Sequence, residues 1–99
     1  MENFNKLSAA ETERLAILSE ELGEIQQEIG KILRHGYERK HPKAPLNKTN
    51  RFNLEVELGD LQAILSIMAN NLDISLANID ANKEVKLKKI NKYLHHNSV

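Results

Sequence analysis

The chain has 99 residues, with 14 Lys+Arg balanced by 14 Asp+Glu and no cysteine. That length makes one domain with a modest core, and the absence of thiols excludes disulfides and cysteine-ligated metals. Zero net charge gives the whole molecule no pull toward nucleic acid, and no apolar run reaches the ~20 residues of a membrane span. With no secretory h-region at the N-terminus, a cytoplasmic protein with neither nucleic-acid nor membrane partner is expected.

Charge is nonetheless segregated. Residues 1–34 hold seven acids against four bases, 35–53 one against five, 54–82 five against none, and 83–99 one against five. Residues Met1 to Leu7 form a loose lead-in. Ser8 followed by Glu11 reads as a capping box that opens a first helix. Leu15, Leu18, Leu22, Ile25, Ile29 and Ile32 then recur at the 3-4 spacing of one helical face. Arg34 and His35 suit a last turn, and Gly36 a stop.

Residues 36–49 contain Pro42, Pro45 and five basic or His residues. This is a loop, longer than the ~2–8 residues usual between bundle helices, and long enough to traverse or to cover a site. Thr49 or Asn50 caps a second helix with the stripe Leu54, Leu58, Leu61, Leu65, Met68 and Leu72, ended by Asn70-Asn71 and Asp73. Ser75 caps a third, which runs to about Leu94 with Leu76, Ile79, Leu87, Ile90 and Leu94 on one side. Residues 95–99 form a loose end. No segment alternates as a strand does, so the expected fold is a single all-α domain over 1–99. It would be a bundle of three main helices per chain, completed by oligomerisation.

One six-residue stretch occurs twice. Glu21 to Gln26 reads E-L-G-E-I-Q, and Glu57 to Gln62 reads E-L-G-D-L-Q. Each copy places two carboxylates three residues apart, Glu21 with Glu24 and Glu57 with Asp60, on one face of a helix. On a helical wheel these acids lie a quarter-turn or more beside the apolar stripe, with Ile64 in the second helix where Glu28 stands in the first. They are therefore expected to flank the core seam and to converge when the two seams pack. Solvated flank acids ordinarily find nearby bases. Lys31 and Arg34 can serve Glu28 and Glu24, but no Lys or Arg lies between Glu55 and Leu72. Four carboxylates around one point make an oxygen-only site, which suits Mg2+, with Mn2+ as a substitute. Di-iron bundles require Glu-x-x-His pairs, which neither copy has. Because Mg2+ shares its coordination with phosphates, the implied ligand is a polyphosphate.

The paired E-x-x-E and E-x-x-D motifs resemble those of the MazG-like members of the all-α nucleoside triphosphate pyrophosphohydrolases. So do L-S-E-E-L-G-E-I-Q at Leu18 to Gln26, K-I-L-R-H-G at Lys31 to Gly36, V-E-L-G-D-L-Q at Val56 to Gln62, and I-S-L-A-N-I at Ile74 to Ile79. The resemblance covers about residues 12–94. It implies Mg2+-dependent hydrolysis of a nucleoside triphosphate to the monophosphate and pyrophosphate, with Glu21, Glu24, Glu57 and Asp60 as metal ligands. Glu24 or Glu21 is the expected proton acceptor for the attacking water. A non-catalytic helical module of the same fold, binding nucleotide or protein, is the alternative.

On the third helix Lys83 projects within the apolar stripe, and Asn82 and Lys86 lie at its edge. A Lys on a core face needs an anionic partner or a route to solvent, unless the helix begins only at Asp80. The resemblance likewise implies Lys and Asn of this last helix beside the substrate, and Lys31 and Arg34 can also meet phosphate. Ala9, Ala16, Gly23 and Gly30 recur seven apart on another side of the first helix, with Gly59 and Ser66 similarly on the second. Interior glycines cost a helix ~1 kcal/mol each, so close approach of another helix is expected there. That neighbour would be the third helix or a second subunit, in a homodimer or a dimer of dimers.

Overall fold

The computed structural model describes residues 4–45 and 48–96, which form three helices: α1 (Ala9–His35), α2 (Asn50–Asn70) and α3 (Leu76–Ile90). The class is all-α, as the sequence periodicity requires. Residues 1–3 and 97–99 of the expected loose ends, and 46–47 of the expected loop, lie outside the described residues.

Each helix starts on a side-chain oxygen. Ser8 Oγ accepts from the Glu11 amide (3.1 Å) while Glu11 Oε1 accepts from the Ser8 amide (2.8 Å), completing the capping box. Thr49, rather than Asn50, caps α2 by accepting from the Phe52 amide (3.1 Å), and Ser75 Oγ accepts from the Asn78 amide (3.2 Å). α1 stops at Gly36, whose φ of 87° is open to glycine and whose N–H donates to the Ile32 carbonyl (2.7 Å).

The end of α2 is a Schellman turn without glycine. The Leu72 amide donates to the Ala69 carbonyl (3.0 Å) and the Asp73 amide to the Met68 carbonyl (2.9 Å). Leu72 takes the left-handed position at φ 63°, with its side chain 90% exposed. That turn delivers Asp73 to Arg14, whose Nε and NH2 donate to the two carboxylate oxygens, the latter at 3.0 Å. At the other end, Asn50 is buried and its amide nitrogen Nδ2 donates to the Gly36 carbonyl (3.1 Å). These two ties, Gly36 to Asn50 and Arg14 to Asp73, set α1 and α2 antiparallel.

α1 and α2 pack on one another; α3 makes no more than marginal contact with either. The α1 face turned inward carries Leu18, Glu21, Ile25, Glu28 and Ile32, and that of α2 carries Leu54, Glu57, Leu61, Ile64 and Met68. Only Ile64 (3% exposed) and Met68 (2%) are apolar and fully buried among the described residues. The seam is thus rotated from the one expected. Glu21, Glu28 and Glu57 lie within it, while Leu15, Leu22, Ile29, Leu58 and Leu72 of the anticipated stripes are exposed, Leu22 by 51%. The apolar stripe of each helix is thus wider than, and offset from, the face that α1 and α2 bury against one another.

α3 has no buried residue and ends at Ile90, a turn short of Leu94. It begins at Leu76, so Lys83 sits in its interior rather than in a loose first turn. With no neighbour over its apolar side, Leu76, Ile79 and Leu87 are exposed and Lys83 meets solvent. A Cβ at Gly23 or Gly59 would meet nothing within 4 Å, so α3 does not fill the glycine face. The radius of gyration is 17.3 Å, against about 13 Å for a compact chain of this length. No helix among the described residues is long and apolar enough to cross a membrane.

Candidate metal centre

The repeated motif falls on facing turns of α1 and α2. One carboxylate oxygen from each of Glu21, Glu24, Glu57 and Asp60 lies within 4.8 Å of all the others. The first three are half-buried and Asp60 is exposed, so the cluster has an inner wall and one side open to solvent. The 3-residue spacing aims each pair in one direction, and the antiparallel packing brings the two pairs together.

The electrostatics are those of an uncompensated acid cluster. The ion pairs formed by the described residues are Arg14 with Asp73, Lys31 with Glu28, and Arg51 with Glu38; none reaches the quartet. The Glu57 carboxyl is pushed up to about 7 by its hydrogen-bonding approach to Glu24, then by burial, then by the charges of Glu24, Asp60 and Glu21. Burial, followed by the charges of Glu24 and Asp60, also raises Glu21. Oε2 of Glu21 and Oε2 of Glu57 are buried with no hydrogen-bond partner. Buried carboxylate oxygens without donors are costly, and an ion of opposite charge removes that cost.

The donor set fits a hard divalent cation. Opposite ligands of octahedral Mg2+ lie about 4.2 Å apart, twice the ~2.1 Å Mg–O distance. Four oxygens within 4.8 Å of one another are near enough to share a single ion. Nitrogen and sulfur donors are lacking in the cluster, which disfavours the softer transition metals.

Glu28 is a fifth acid, in the seam but outside the cluster. It is 9% exposed, accepts from Lys31 Nζ at 3.3 Å through Oε1, and leaves Oε2 buried and unpartnered. Sequence periodicity placed it beside the apolar stripe, yet Leu18, Glu21, Ile25, Glu28 and Ile32 are themselves a 3-4 series. That series was the available signal for its burial. The Arg14–Asp73 pair, by contrast, spans 59 positions and has no local signature.

The sequence-derived cations are placed differently. Lys31 and Arg34 stand exposed on the last turns of α1, on the ridge between two cavities of about 570 and 430 Å³. Lys31 is linked to the acidic seam through Glu28. Asn82, Lys83 and Lys86 are exposed on α3, and Asn82 Nδ2 donates to the Asn78 carbonyl of its own helix (2.9 Å). Within one chain, α3 does not pack on the helices that carry the quartet.

No family model matches the chain, and neither do curated proteins or solved structures.

Proposed function

We propose that the protein is a Mg2+-dependent nucleoside triphosphate pyrophosphohydrolase of the MazG-like kind, releasing a nucleoside monophosphate and pyrophosphate. The observation that carries this reading is the meeting of Glu21, Glu24, Glu57 and Asp60 with no protein cation beside them. Folding alone has no use for such a cluster, since it raises the energy of the metal-free chain.

Glu21, Glu24, Glu57 and Asp60 would hold the ion. Mg2+, or Mn2+ in its place, supplies a Lewis acid that stabilises charge on the phosphate oxygens. Glu24 or Glu21 accepts the proton of the attacking water, since a carboxylate near the ion keeps a lone pair for it. Glu57, half-buried in the seam, holds the inner wall of the site in place. Lys31 and Arg34, and Asn82, Lys83 and Lys86 from α3, are assigned to the phosphates of the substrate, where cations offset its charge.

The same reading takes the working unit to be a homodimer or a dimer of dimers. With two fully buried apolar residues among those described, Gly23 and Gly59 uncovered and the third helix unpacked, the chain leaves apolar surface for a second copy. Sedimentation at micromolar concentration tests this, and a stable monomer overturns it.

The decisive measurement is pyrophosphate release from a panel of ribo- and deoxyribonucleoside triphosphates with and without Mg2+. Release that requires the metal is expected with at least one substrate. Absence of release across the panel, with nucleotide still bound, leaves the non-catalytic module in its place.

A further inference from the structure

The face of the α1–α2 hairpin that carries the quartet also carries apolar side chains. On α2, Val56 stands four residues before Asp60 and Ile67 seven after it, so helical spacing puts both on the same side as that carboxylate. On α1, Ile17 stands seven residues before Glu24. All three apolar side chains are exposed. Because the helices are antiparallel, Ile17 and Ile67 lie at one end of the face and Val56 at the other, with the acids between them.

α3 repeats this pattern with the charge reversed. Leu76 and Leu87 are eleven residues apart, as Val56 and Ile67 are, and Lys83 stands seven after Leu76 and four before Leu87. Laid antiparallel to α2, α3 therefore sets Leu76 against Ile67, Lys83 against Asp60 and Leu87 against Val56 in one register. All three α3 side chains are exposed in the single chain. No ion pair of the described residues takes up Lys83 or the quartet. The segments that carry them are complementary, with five acids and no base over 54–82 and five bases against one acid over 83–99. In its own chain α3 does not pack on this face. The Leu72 and Asp73 amides, bonded to the Ala69 and Met68 carbonyls, and the Arg14–Asp73 pair fix the turn from which it leaves.

We infer that α3 of a second copy lies antiparallel to α2 on this face, with Lys83 over the carboxylates, so that each centre is completed in trans. Burial of the apolar ends drives the association. The lysine between them sets the register, since a slip of one turn would bury its charge against Val56. Four carboxylates also outweigh one divalent ion, and the lysine offsets part of the remainder. The inference rests on the homodimer reading, which it deepens, and uses neither nucleotide nor metal.

Because the chain has no cysteine, introduced thiols report alone. Two full-length chains of different mass, one Ile67→Cys and one Leu76→Cys, are refolded together in EDTA and treated with a short bis-maleimide. A product of summed mass is expected. The yield should fall about tenfold when the second chain carries Leu87→Cys instead, which the register places about 16 Å away along α2. Adding Lys83→Glu to the Leu76→Cys chain should also lower the yield about tenfold, because like charges then meet. Lys88→Glu, on the other side of α3, should leave it unchanged. Circular dichroism establishes that each variant keeps its helicity. The inference is overturned if no mixed product forms, if Leu87→Cys gives as much, if Lys83→Glu changes nothing, or if a chain carrying both thiols links within itself. A dimer in sedimentation without mixed product leaves the homodimer and removes this arrangement; a monomer removes both. Mixed product from a chain that releases no pyrophosphate leaves the arrangement standing and removes the hydrolase reading.

Discussion

Two stretches of the α1–α2 seam handle buried carboxylates in opposite ways. Near the start of α1, Asp73 receives both donors of Arg14, and that guanidinium holds its carboxyl below the usual range. About two turns further along α1, four carboxylates meet with no cation, and Glu57 is pushed up to about 7. The same pair of helices therefore contains one charge cluster that the fold has closed and one that it has left open. The closed one explains how the helices are tied; the open one leaves its acids without a counter-charge from the described residues.

Breaking the open cluster should have the largest effect. Glu24→Gln and Asp60→Asn are each expected to lower Mg2+-dependent pyrophosphate release by about a hundredfold or more while leaving helicity unchanged, since each removes a ligand of the activating ion. Normal turnover in both variants would show that the site lies elsewhere.

The pH dependence of stability separates the two clusters by sign. Glu57 has a folded value above its ordinary 4.5, so the stability it lends is whole below that pH and is lost as pH rises to about 7. Asp73 has a folded value below its ordinary 3.8, so its contribution is present above that pH and is lost as pH falls through the folded value. In EDTA, thermal midpoints should thus decline between about pH 4.5 and 7 in the parent and decline less in Glu57→Gln. Added Mg2+ should raise the midpoint of the parent at pH 8 and do so far less for Glu57→Gln. A parent midpoint indifferent to Mg2+ would contradict the fit of the site.

The closed pair gives a smaller effect. Arg14→Ala strands Asp73 and should lower the thermal midpoint clearly more than Arg51→Ala, which releases the exposed Glu38. Equal losses would mean that the Arg14–Asp73 tie does not hold the hairpin. Smallest is Leu72→Gly, which relieves a left-handed leucine with little burial to lose. It should add about 1 kcal/mol by denaturant unfolding.

Much of the skeleton was legible because its signals are local. Ser8, Ser75 and Gly36 act on amides or carbonyls a few residues away, so their chemistry can be recognised without a partner. The quartet was legible for a related reason: a motif repeated on two helices needs only a standard antiparallel packing to converge. What could not be read was the rotation of the seam. Leu15, Leu22 and Ile29 advertise burial that one chain does not provide, and their weight pulled the apparent core away from Glu21 and Glu28. Lys83 shows the same effect on α3, where an apparent core position faces solvent. At the two ends of the connection, Asn50 reaching Gly36 and the Lys40–Thr49 bridge are both set by how the chain returns.

The free-standing α3 offers its own reporter. A 15-residue helix with no more than marginal contacts is at the margin of persistence in water, because nucleation is costly and little compensates it. In a dilute solution of separate chains its amides should exchange with deuterium far ahead of those around Ile64 and Met68. Slow exchange over Leu76–Ile90 would then be a direct record of self-association, obtained residue by residue and without knowing any ligand.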